Sequence, residues 1–345
     1  MPGEYHPFWE LTLCRFREFA REPEVVFWVF GFPILLAAGL GIAFRDRPPE
    51  KVFVAVVDHP DTPAIVTQLN QRPTIQAEAV SPLKASTILR LGKVALVVVP
   101  GQSFEFRFDP TRPDSLLART LVDAALQEAA GRRDVVFTQE KAITEAGARY
   151  IDFLIPGLLG MNLMGGGMWG VGYVIVDMRI KKLLKRMIAT PMRRTDFMLA
   201  IITSRLLFMV TEVILLLLFG YLAFGMIIQG SMLSIMVVSL FGAMGFAGMG
   251  MLIASRARKI ETVSGLMNLV MVPMWVFSGV FFSWERFPKM FQPFIQALPL
   301  TALNDALRAV ILEGATLASL SLKLAIISAW GLVSFYLGLR WFRWN

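Results

Sequence analysis

The chain has 345 residues, of which 55% are hydrophobic and 17% charged, and 34 basic against 26 acidic residues give a formal net charge of +8. Soluble domains are about one quarter charged, so this composition indicates a membrane protein. The basic residues cluster beside apolar blocks, so we expect no nucleic-acid partner. One cysteine and two histidines exclude an internal disulfide and make a metal site or a serine-histidine-aspartate triad difficult to build. We therefore predict no catalytic, cofactor-binding or metal-binding residue.

The first apolar block predicts a membrane span over residues 25–44, preceded by a cytoplasmic amphipathic segment over residues 1–24. Charged residues lie on both sides of the block. A cleaved signal peptide is the alternative interpretation. However, the segment before the block is long and contains Glu4, Glu10, Glu18 and Glu22, and no small-x-small cleavage site follows the block. We therefore predict a span that is retained.

Residues 45–149 predict a soluble domain inserted after this span. Val52–Val57 is a continuous apolar run typical of a buried strand, and Pro60-Asp61-Thr62-Pro63 predicts a helix that runs to about Asn70. Further strands are predicted at residues 74–80, 94–99 and 104–108, with helices from residue 81 and over residues 114–130. This alternation of strands and helices predicts a small α/β domain.

Five further apolar blocks predict spans over residues 151–176, 197–219, 232–254, 262–282 and 320–339, all within a five-helix region from residue 150 to residue 345. The segment 288–312 is apolar but is interrupted by Pro293 and Pro299 and contains Asp305 and Arg308, so it predicts an interfacial or re-entrant pair of helices. The predicted fold class is an α-helical polytopic membrane protein with six transmembrane helices, and with a small extracytoplasmic α/β domain between helices 1 and 2.

The positions of the basic residues predict the orientation. Residues 177–196 contain seven lysines and arginines, whereas residues 220–231 contain no charged residue. The positive-inside rule then places both termini in the cytoplasm and residues 45–149 outside. We predict a multi-pass protein of a bacterial cell (inner) membrane, in contact with membrane lipids.

Residues 178–190, which we call the basic segment, predict an amphipathic helix. Its basic residues fall on one side, and its apolar residues repeat with helical spacing on the other: Ile180, Leu183, Leu184, Met187 and Ile188. The helix should end before Thr190-Pro191, because proline disfavours helix in the residue before it. Two interpretations remain open, a helix on the anionic cytoplasmic leaflet or a helix that docks into a cytoplasmic partner and transmits its movement.

Two charged residues inside the third span also need an explanation, because each is costly in lipid. Arg205 and Glu212 are seven residues apart and share a helix face. Either Arg205 reaches the cytoplasmic interface and Glu212 hydrogen-bonds to a neighbouring helix, or Glu212 faces a subunit interface and contacts or gates cargo. We group Glu212 with Asn268, Met271 and Phe277 as possible pathway or gating residues, since methionine-rich surfaces can be promiscuous.

Three segments resemble motifs of the permease subunits of type-2 ABC exporters, in the same order and with the same spacing. They are Ala189-Thr190-Pro191, Phe277-Ser278-Gly279-Val280-Phe281-Phe282, and Pro299-Leu300-Thr301 with Leu307-Arg308. Val54-Ala55-Val56-Val57-Asp58 and Asp109-Pro110-Thr111-Arg112-Pro113 are similar to the subgroup with a large extracytoplasmic insertion after the first span. The resemblance covers nearly the whole chain.

This resemblance implies that the chain moves a hydrophobic or amphipathic substrate, such as a drug or a lipid, out of the cytoplasm or inner leaflet. The sequence lacks Gly-x-x-x-x-Gly-Lys-Ser/Thr, so ATP and Mg²⁺ would bind a separate ABC ATPase subunit. The resemblance assigns the contact with that ATPase to Arg179, Ile180, Leu183, Leu184, Met187, Ile188, Thr190 and Pro191.

The chain departs from the family at Lys181-Lys182-Leu183, where an acidic residue and Gly-Thr are common. This difference predicts an acidic groove on the ATPase.

The resemblance also implies a homodimer or a pair with a related permease, and the outer domain could bind a periplasmic partner. Two alternatives are an ion-driven secondary transporter and a membrane-anchored sensor that uses its outer domain.

Overall fold

The structure is a computed structural model, and it describes residues 7–44, 51–132, 147, 149–182, 194–257 and 259–341. The chain divides into two compact units. The first comprises Met1–Arg45 and Ile143–Asn345, and the second comprises Asp46–Ala142. We describe each unit separately.

The first unit is helical. Within the described ranges, six helices are long and apolar enough to cross a membrane, and we number them spans 1 to 6 in the order Pro23–Ala43, Tyr150–Ile180, Thr203–Phe224, Met232–Ala254, Ile260–Phe277 and Leu317–Trp341. A helix over Pro7–Arg21 precedes span 1, and the helix of span 3 begins at Arg194. Long apolar runs must bury their backbone polar groups in a helix to enter lipid, which is why the six predicted spans are all present.

Two helix ends differ from the prediction. The helix of span 2 continues past residue 176 to Ile180 and then turns at Lys181 and Lys182, where Lys182 has a φ of 55°. The basic segment therefore does not begin a new helix at residue 178, and its residues 183–190 lie outside the described ranges. Span 5 ends at Phe277 rather than at residue 282, because Gly279 takes a φ of 71° that terminates the helix.

The segment before span 6 contains a short helix, Gln292–Gln296, and a longer one, Pro299–Glu313, which we call the hairpin helix. Its beginning is level with the middle of span 6, because Nε1 of Trp330 donates a hydrogen bond of 2.9 Å to the carbonyl of Ala297. Its end lies beside the start of span 4, because the amide of Gln229 donates to the carbonyl of Ile311 at 2.9 Å. The hairpin helix therefore extends from the level of the middle of span 6 to the start of span 4.

Glycines allow span 4 to approach its neighbours closely. A Cβ atom on Gly172 of span 2 would lie 2.5 Å from the carbonyl oxygen of Gly250, and one on Gly248 would lie 2.5 Å from that of Gly331 in span 6. Both distances are shorter than any real contact, so only glycine fits. Small residues at these positions let the helices pack closely.

Spans 1 and 2 each contain a π-helical turn, Phe27–Gly31 and Met168–Tyr173. The side-chain amide of Asn162 in span 2 donates to the carbonyl of Val29 in the first of these turns at 3.0 Å. A π turn leaves backbone groups out of the regular α-helical pattern, and here a neighbouring side chain binds one of them.

The two chain positions of the first unit that flank the second unit in sequence lie close together. Phe44 follows the last residue of span 1 and Tyr150 begins span 2, and their rings lie 4.4 Å apart between centroids.

The second unit is a four-stranded sheet with helices. The strands are β1 (Val52–Val57), β2 (Ile75–Val80), β3 (Leu96–Val99) and β4 (Glu105–Arg107), and the helices are α1 (Thr62–Asn70), α2 (Pro82–Arg90) and α3 (Pro113–Ala129). The strand order is β2-β1-β3-β4, with β1 parallel to β2 and β3 and with β4 antiparallel.

Alternate residues of β1 point to opposite faces of this sheet. Val54 and Val56 pack with Leu69 of α1 and Val122 of α3, whereas Ala55 packs with α2 in a separate cluster. The predicted strands and helices of this unit are thus present, with helices on both faces of the sheet.

Candidate functional site

Arg179 joins the Ile180 end of span 2 to the end of span 4. Its Nη1 atom donates to the carbonyl oxygens of Ala254 at 3.1 Å and Ala257 at 3.0 Å. The last carbonyls of a helix have no partner within the helix and carry partial negative charge, so a guanidinium stabilises them. Arg179 therefore fixes the helix end from which the basic segment departs. The neighbouring Ile180 is exposed.

The other predicted ATPase-contact residues are Leu183, Leu184, Met187, Ile188, Thr190 and Pro191, and they lie outside the described ranges. The structure describes both attachments of this segment. It leaves span 2 after Lys182, and it enters the helix of span 3 at Arg194.

The Tyr150 end of span 2 is joined to span 3 by a similar contact. Arg149 forms two hydrogen bonds of 2.9 Å with the carboxylate of Asp152, and its Nη1 donates to the carbonyl of Phe224 at 2.7 Å. Asp152 is completely buried, although its position near a helix end predicts an interfacial residue. The Arg-x-x-Asp spacing is the sequence signal for this pair, because residues three apart are neighbours on a helix.

Glu212 and Arg205 form an ion pair within span 3. Nη1 of Arg205 lies 3.0 Å from Oε1 of Glu212, and Nη2 lies 3.5 Å from Oε2. The side chain of Glu212 is 1% exposed and that of Arg205 is 15% exposed. Glu212 is buried within this single chain, where its carboxylate pairs with Arg205 of the same helix. The shared helix face predicted from their spacing is what brings the two side chains together.

Two glycines of span 2 accommodate the guanidinium, and we call Gly166 and Gly170 the glycine groove. A Cβ atom on Gly166 would lie 1.7 Å from Nη2 of Arg205, whereas one on Gly170 would make an ordinary contact of 3.5 Å with its Cδ. Their position opposite an arginine depends on how spans 2 and 3 pack.

The three predicted residues of span 5 are not brought together with Glu212. Met271 is buried and lies near span 2, where a Cβ on Gly165 would be 3.8 Å from its Cε. Asn268 and Phe277 are exposed on the surface of the chain. The ring of Phe277 lies 5.2 Å from that of Phe287.

A polar junction connects the end of span 5 to the hairpin helix and span 2. The amide of Asn304 donates to the carbonyl of Ser278 at 2.8 Å, and Arg308 donates to the carbonyl oxygens of Phe153, at 3.3 Å, and of Gly279. The guanidinium of Arg308 also lies 3.7 Å from the ring centroid of Phe153. The Ser-Gly-aromatic and Pro-Leu-Thr motifs thus contact each other, which their sequence order alone did not indicate.

The Asp109–Pro113 motif of the second unit has a local structural role. The amide and hydroxyl of Thr111 donate to Asp109 at 2.9 Å and 2.7 Å, and these hydrogen bonds lower the pKa of that carboxyl. The motif forms the turn that leads into α3. In the part of the chain that the structure describes, no group of three or more His, Cys, Asp or Glu residues could hold a metal ion.

Comparison with known proteins gives two matches. The family model described as ABC-2 type transporter matches residues 116–312, more than half of the 345 residues. The match extends from α3 through spans 2 to 5 and nearly to the end of the hairpin helix. The chain is also 24% identical over 169 residues to ABC transporter G family member 20 of Dictyostelium discoideum, which covers 48% of this chain and 23% of that protein. The chain thus spans about a quarter of the length of this curated relative.

Proposed function

This chain belongs to the ABC-2 type transporter family, and on that premise we propose that it is the permease subunit of an ABC exporter powered by a separate ATPase subunit. The observation that carries the proposal is the family match over residues 116–312, which includes four of the six spans and both segments of the polar junction. The permease itself would hydrolyse no ATP, and ATP and Mg²⁺ would bind the partner.

The proposed ATPase contact is the basic segment. Closure of the ATPase dimer on ATP would push on this segment, and its two attachments would carry the movement into spans 2 and 3. Arg179 supports this role, because its bonds to Ala254 and Ala257 would extend the movement to span 4. The lysines of the segment favour an acidic groove on the ATPase.

The proposed orientation places both termini and the basic segment in the cytoplasm of a bacterial cell, with the protein in its inner membrane. Residues 45–149 would form an extracytoplasmic α/β domain, and residues 1–24 would lie on the cytoplasmic side. The contact between the rings of Phe44 and Tyr150 supports an insertion at one point of the helical region. This domain is the proposed site for a periplasmic partner.

The proposed transport pathway lies between two permease subunits, either two copies of this chain or this chain and a related permease. Span 5 supports this, because its apolar residues Leu269 and Val272 are exposed on the chain surface beside Asn268. A second subunit would cover this face, and movement of spans 2 and 5 would expose it alternately to each side. An apolar lining with isolated polar groups suits a hydrophobic or amphipathic substrate such as a drug or a lipid.

The test is reconstitution of this chain with its ATPase subunit in lipid vesicles, followed by a screen for compounds that stimulate ATP hydrolysis and move across the bilayer. We expect Leu184→Asp with Met187→Asp to abolish both responses, because charges in the docking surface would separate the subunits. Leu83→Asp is the matched control, because Leu83 is 88% exposed in the second unit. Transport and stimulation that survive in the double variant, with normal folding, would refute the assignment of the basic segment.

A further inference from the structure

Four buried polar atoms lie where the end of span 5 meets the beginning of the hairpin helix, a contact that we call the seam. They are Nε1 of Trp275, Oγ of Ser278, Oγ1 of Thr301 and Oδ1 of Asn304, and none has a hydrogen-bond partner among the residues that the structure describes. Ser278 and Asn304 are completely buried, and Thr301 is 1% exposed. Burial of an unpaired polar group costs free energy, and most buried polar groups are therefore hydrogen-bonded. These atoms need a partner that lies inside the seam.

The two helices run in the same direction, because both are antiparallel to span 2. Later residues of each helix contact earlier residues of span 2, and the contacts are Gly165 with Met271, Gly157 with Val280, Gly160 with Asn304, and Phe153 with Arg308. The amide of Asn304 donates to the carbonyl of Ser278 at 2.8 Å, so these two residues are level. Trp275 and Thr301 each lie three residues earlier in their helices, on the same side and about 4.5 Å further along. The four polar atoms therefore occupy two adjacent levels of one seam.

The hydroxyl of Thr301 lacks its usual local acceptor. A helical threonine commonly donates to the carbonyl four residues before it. Here that carbonyl belongs to Ala297, and it accepts a hydrogen bond of 2.9 Å from Nε1 of Trp330. The hydroxyl of Thr301 is left for a partner in the seam.

The chemistry of the four atoms indicates which molecule fits. The indole N–H of Trp275 can only donate and the amide oxygen of Asn304 can only accept, whereas the two hydroxyls can do both. The indole N–H and the guanidinium of Arg308, one turn from Asn304, would repel a cation. The amide oxygen would repel an anion. Water donates and accepts, and a buried water molecule typically makes about three hydrogen bonds to groups that have no other partner.

We propose that the seam is a buried hydration site in which water bridges span 5 to the hairpin helix. The water accepts from the indole of Trp275 and donates to Oδ1 of Asn304, and the hydroxyls of Ser278 and Thr301 complete its hydrogen bonds. This bridge extends the polar junction by one helical turn beyond the direct bond between Asn304 and Ser278. The site depends on the packing of this chain alone, so it stands or falls independently of the proposed function.

The experiment measures the melting temperature of the purified full chain in detergent. Thr301→Val and Ser278→Ala each remove a hydroxyl with little change of shape. If the hydroxyls bind water, each change should lower the melting temperature by about 2 °C, because hydrogen bonds are lost. If the hydroxyls have no partner, removal of an unpaired polar group should leave the melting temperature unchanged or raise it.

Ser239→Ala is the matched control for these changes. Ser239 is completely buried, and its hydroxyl also has no partner among the described residues. It belongs to span 4, which contacts the hairpin helix at Leu303 rather than at the seam. One isolated hydroxyl gives a water molecule too few partners, so this variant should melt at the wild-type temperature or slightly above it.

The double variant Thr301→Val/Ser278→Ala tests whether the two hydroxyls share water. They are not bonded to each other, so they can couple only through a molecule between them, and the double variant should lose less than the sum of the single losses. Additive losses would overturn the proposal, as would single variants that melt at or above the wild-type temperature.

A measurement on the wild-type chain does not depend on the stability of these variants. The indole proton of Trp275, assigned by the loss of its NMR signal in Trp275→Phe, should show magnetisation transfer from water. An indole signal that shows transfer only from protein and detergent protons would overturn the hydration site.

Discussion

Substitution of Gly160 by alanine should destabilise the polar junction severely. A Cβ atom at this position would lie 1.9 Å from Oδ1 of Asn304 and 3.1 Å from its Cγ. Asn304 is completely buried, and its amide donates to the carbonyl of Ser278 at 2.8 Å. The amide group must therefore move by more than 1 Å, roughly the excess of a normal contact over this distance, and its hydrogen bond breaks.

The magnitude follows from two contributions. A buried hydrogen bond whose partners are left unsatisfied costs about 1–3 kcal/mol, and overpacking a filled site costs about 1–3 kcal/mol more. We expect a loss on the order of 2–5 kcal/mol, which would lower the melting temperature of the purified chain in detergent by on the order of 5 °C. Gly39→Ala in span 1 is the matched control, because a Cβ there meets nothing within 4 Å, and it should be neutral or slightly stabilising.

A second substitution tests the cause. In Gly160→Ala/Asn304→Ala, the methyl group no longer meets an amide, so the loss should be smaller than the sum of the two single losses. Equal melting temperatures for Gly160→Ala and Gly39→Ala would refute the reasoning, because they would mean that Asn304 does not lie against Gly160. Additive losses would show that the two residues are not in contact.

Three further substitutions have defined expectations. Arg308→Lys should cost about 2 kcal/mol, because an ammonium group cannot bind two carbonyl groups and an aromatic ring together; thermal unfolding of the purified chain measures it. Asp152→Asn should cost about 3 kcal/mol by the same assay, since it removes the charge from a fully buried partner of an arginine. The matched change in the partly exposed pair, Asp177→Asn, should cost less than about 1 kcal/mol. Leu96→Ala should cost about 2–5 kcal/mol in the α/β unit and make it sensitive to protease, whereas Leu91→Ala at an exposed position should not.

The sequence predicted the elements whose signals are local. An apolar block of about 20 residues has few alternatives to a helix in lipid, so the six spans are found where hydropathy places them. The α/β unit could be predicted from the sequence equally well, because a run such as Val52–Val57 is too apolar to be exposed and too short to span a membrane. The residue at which span 2 ends could not be predicted, because Asp177 and Arg179 interrupt the apolar pattern. Arg179 is tolerated there only because span 4 ends beside it.

The contacts of the candidate site depend on packing between helices. Spacing placed Arg205 and Glu212 on one face, but it could not indicate that the neighbouring helix would present Gly166 at the level of the guanidinium. The residues of span 5 show the same dependence on packing. Met271 faces the core of the chain, whereas Asn268 and Phe277 are exposed on its surface. Which face of a helix is covered is a property of its neighbours.

Span 2 is the element through which these separate contacts can act together. Its Tyr150 end is joined to span 3 by Arg149, and its Ile180 end is joined to span 4 by Arg179. Between them lie Gly160 against the hairpin helix and Gly166 against Arg205. A helix fixed to different neighbours at its two ends cannot shift as a rigid rod without breaking one attachment. Any displacement of span 2 would therefore have to be accommodated within the helix itself, and its π-helical turn lies between the two attachments, after Gly166 and before Arg179.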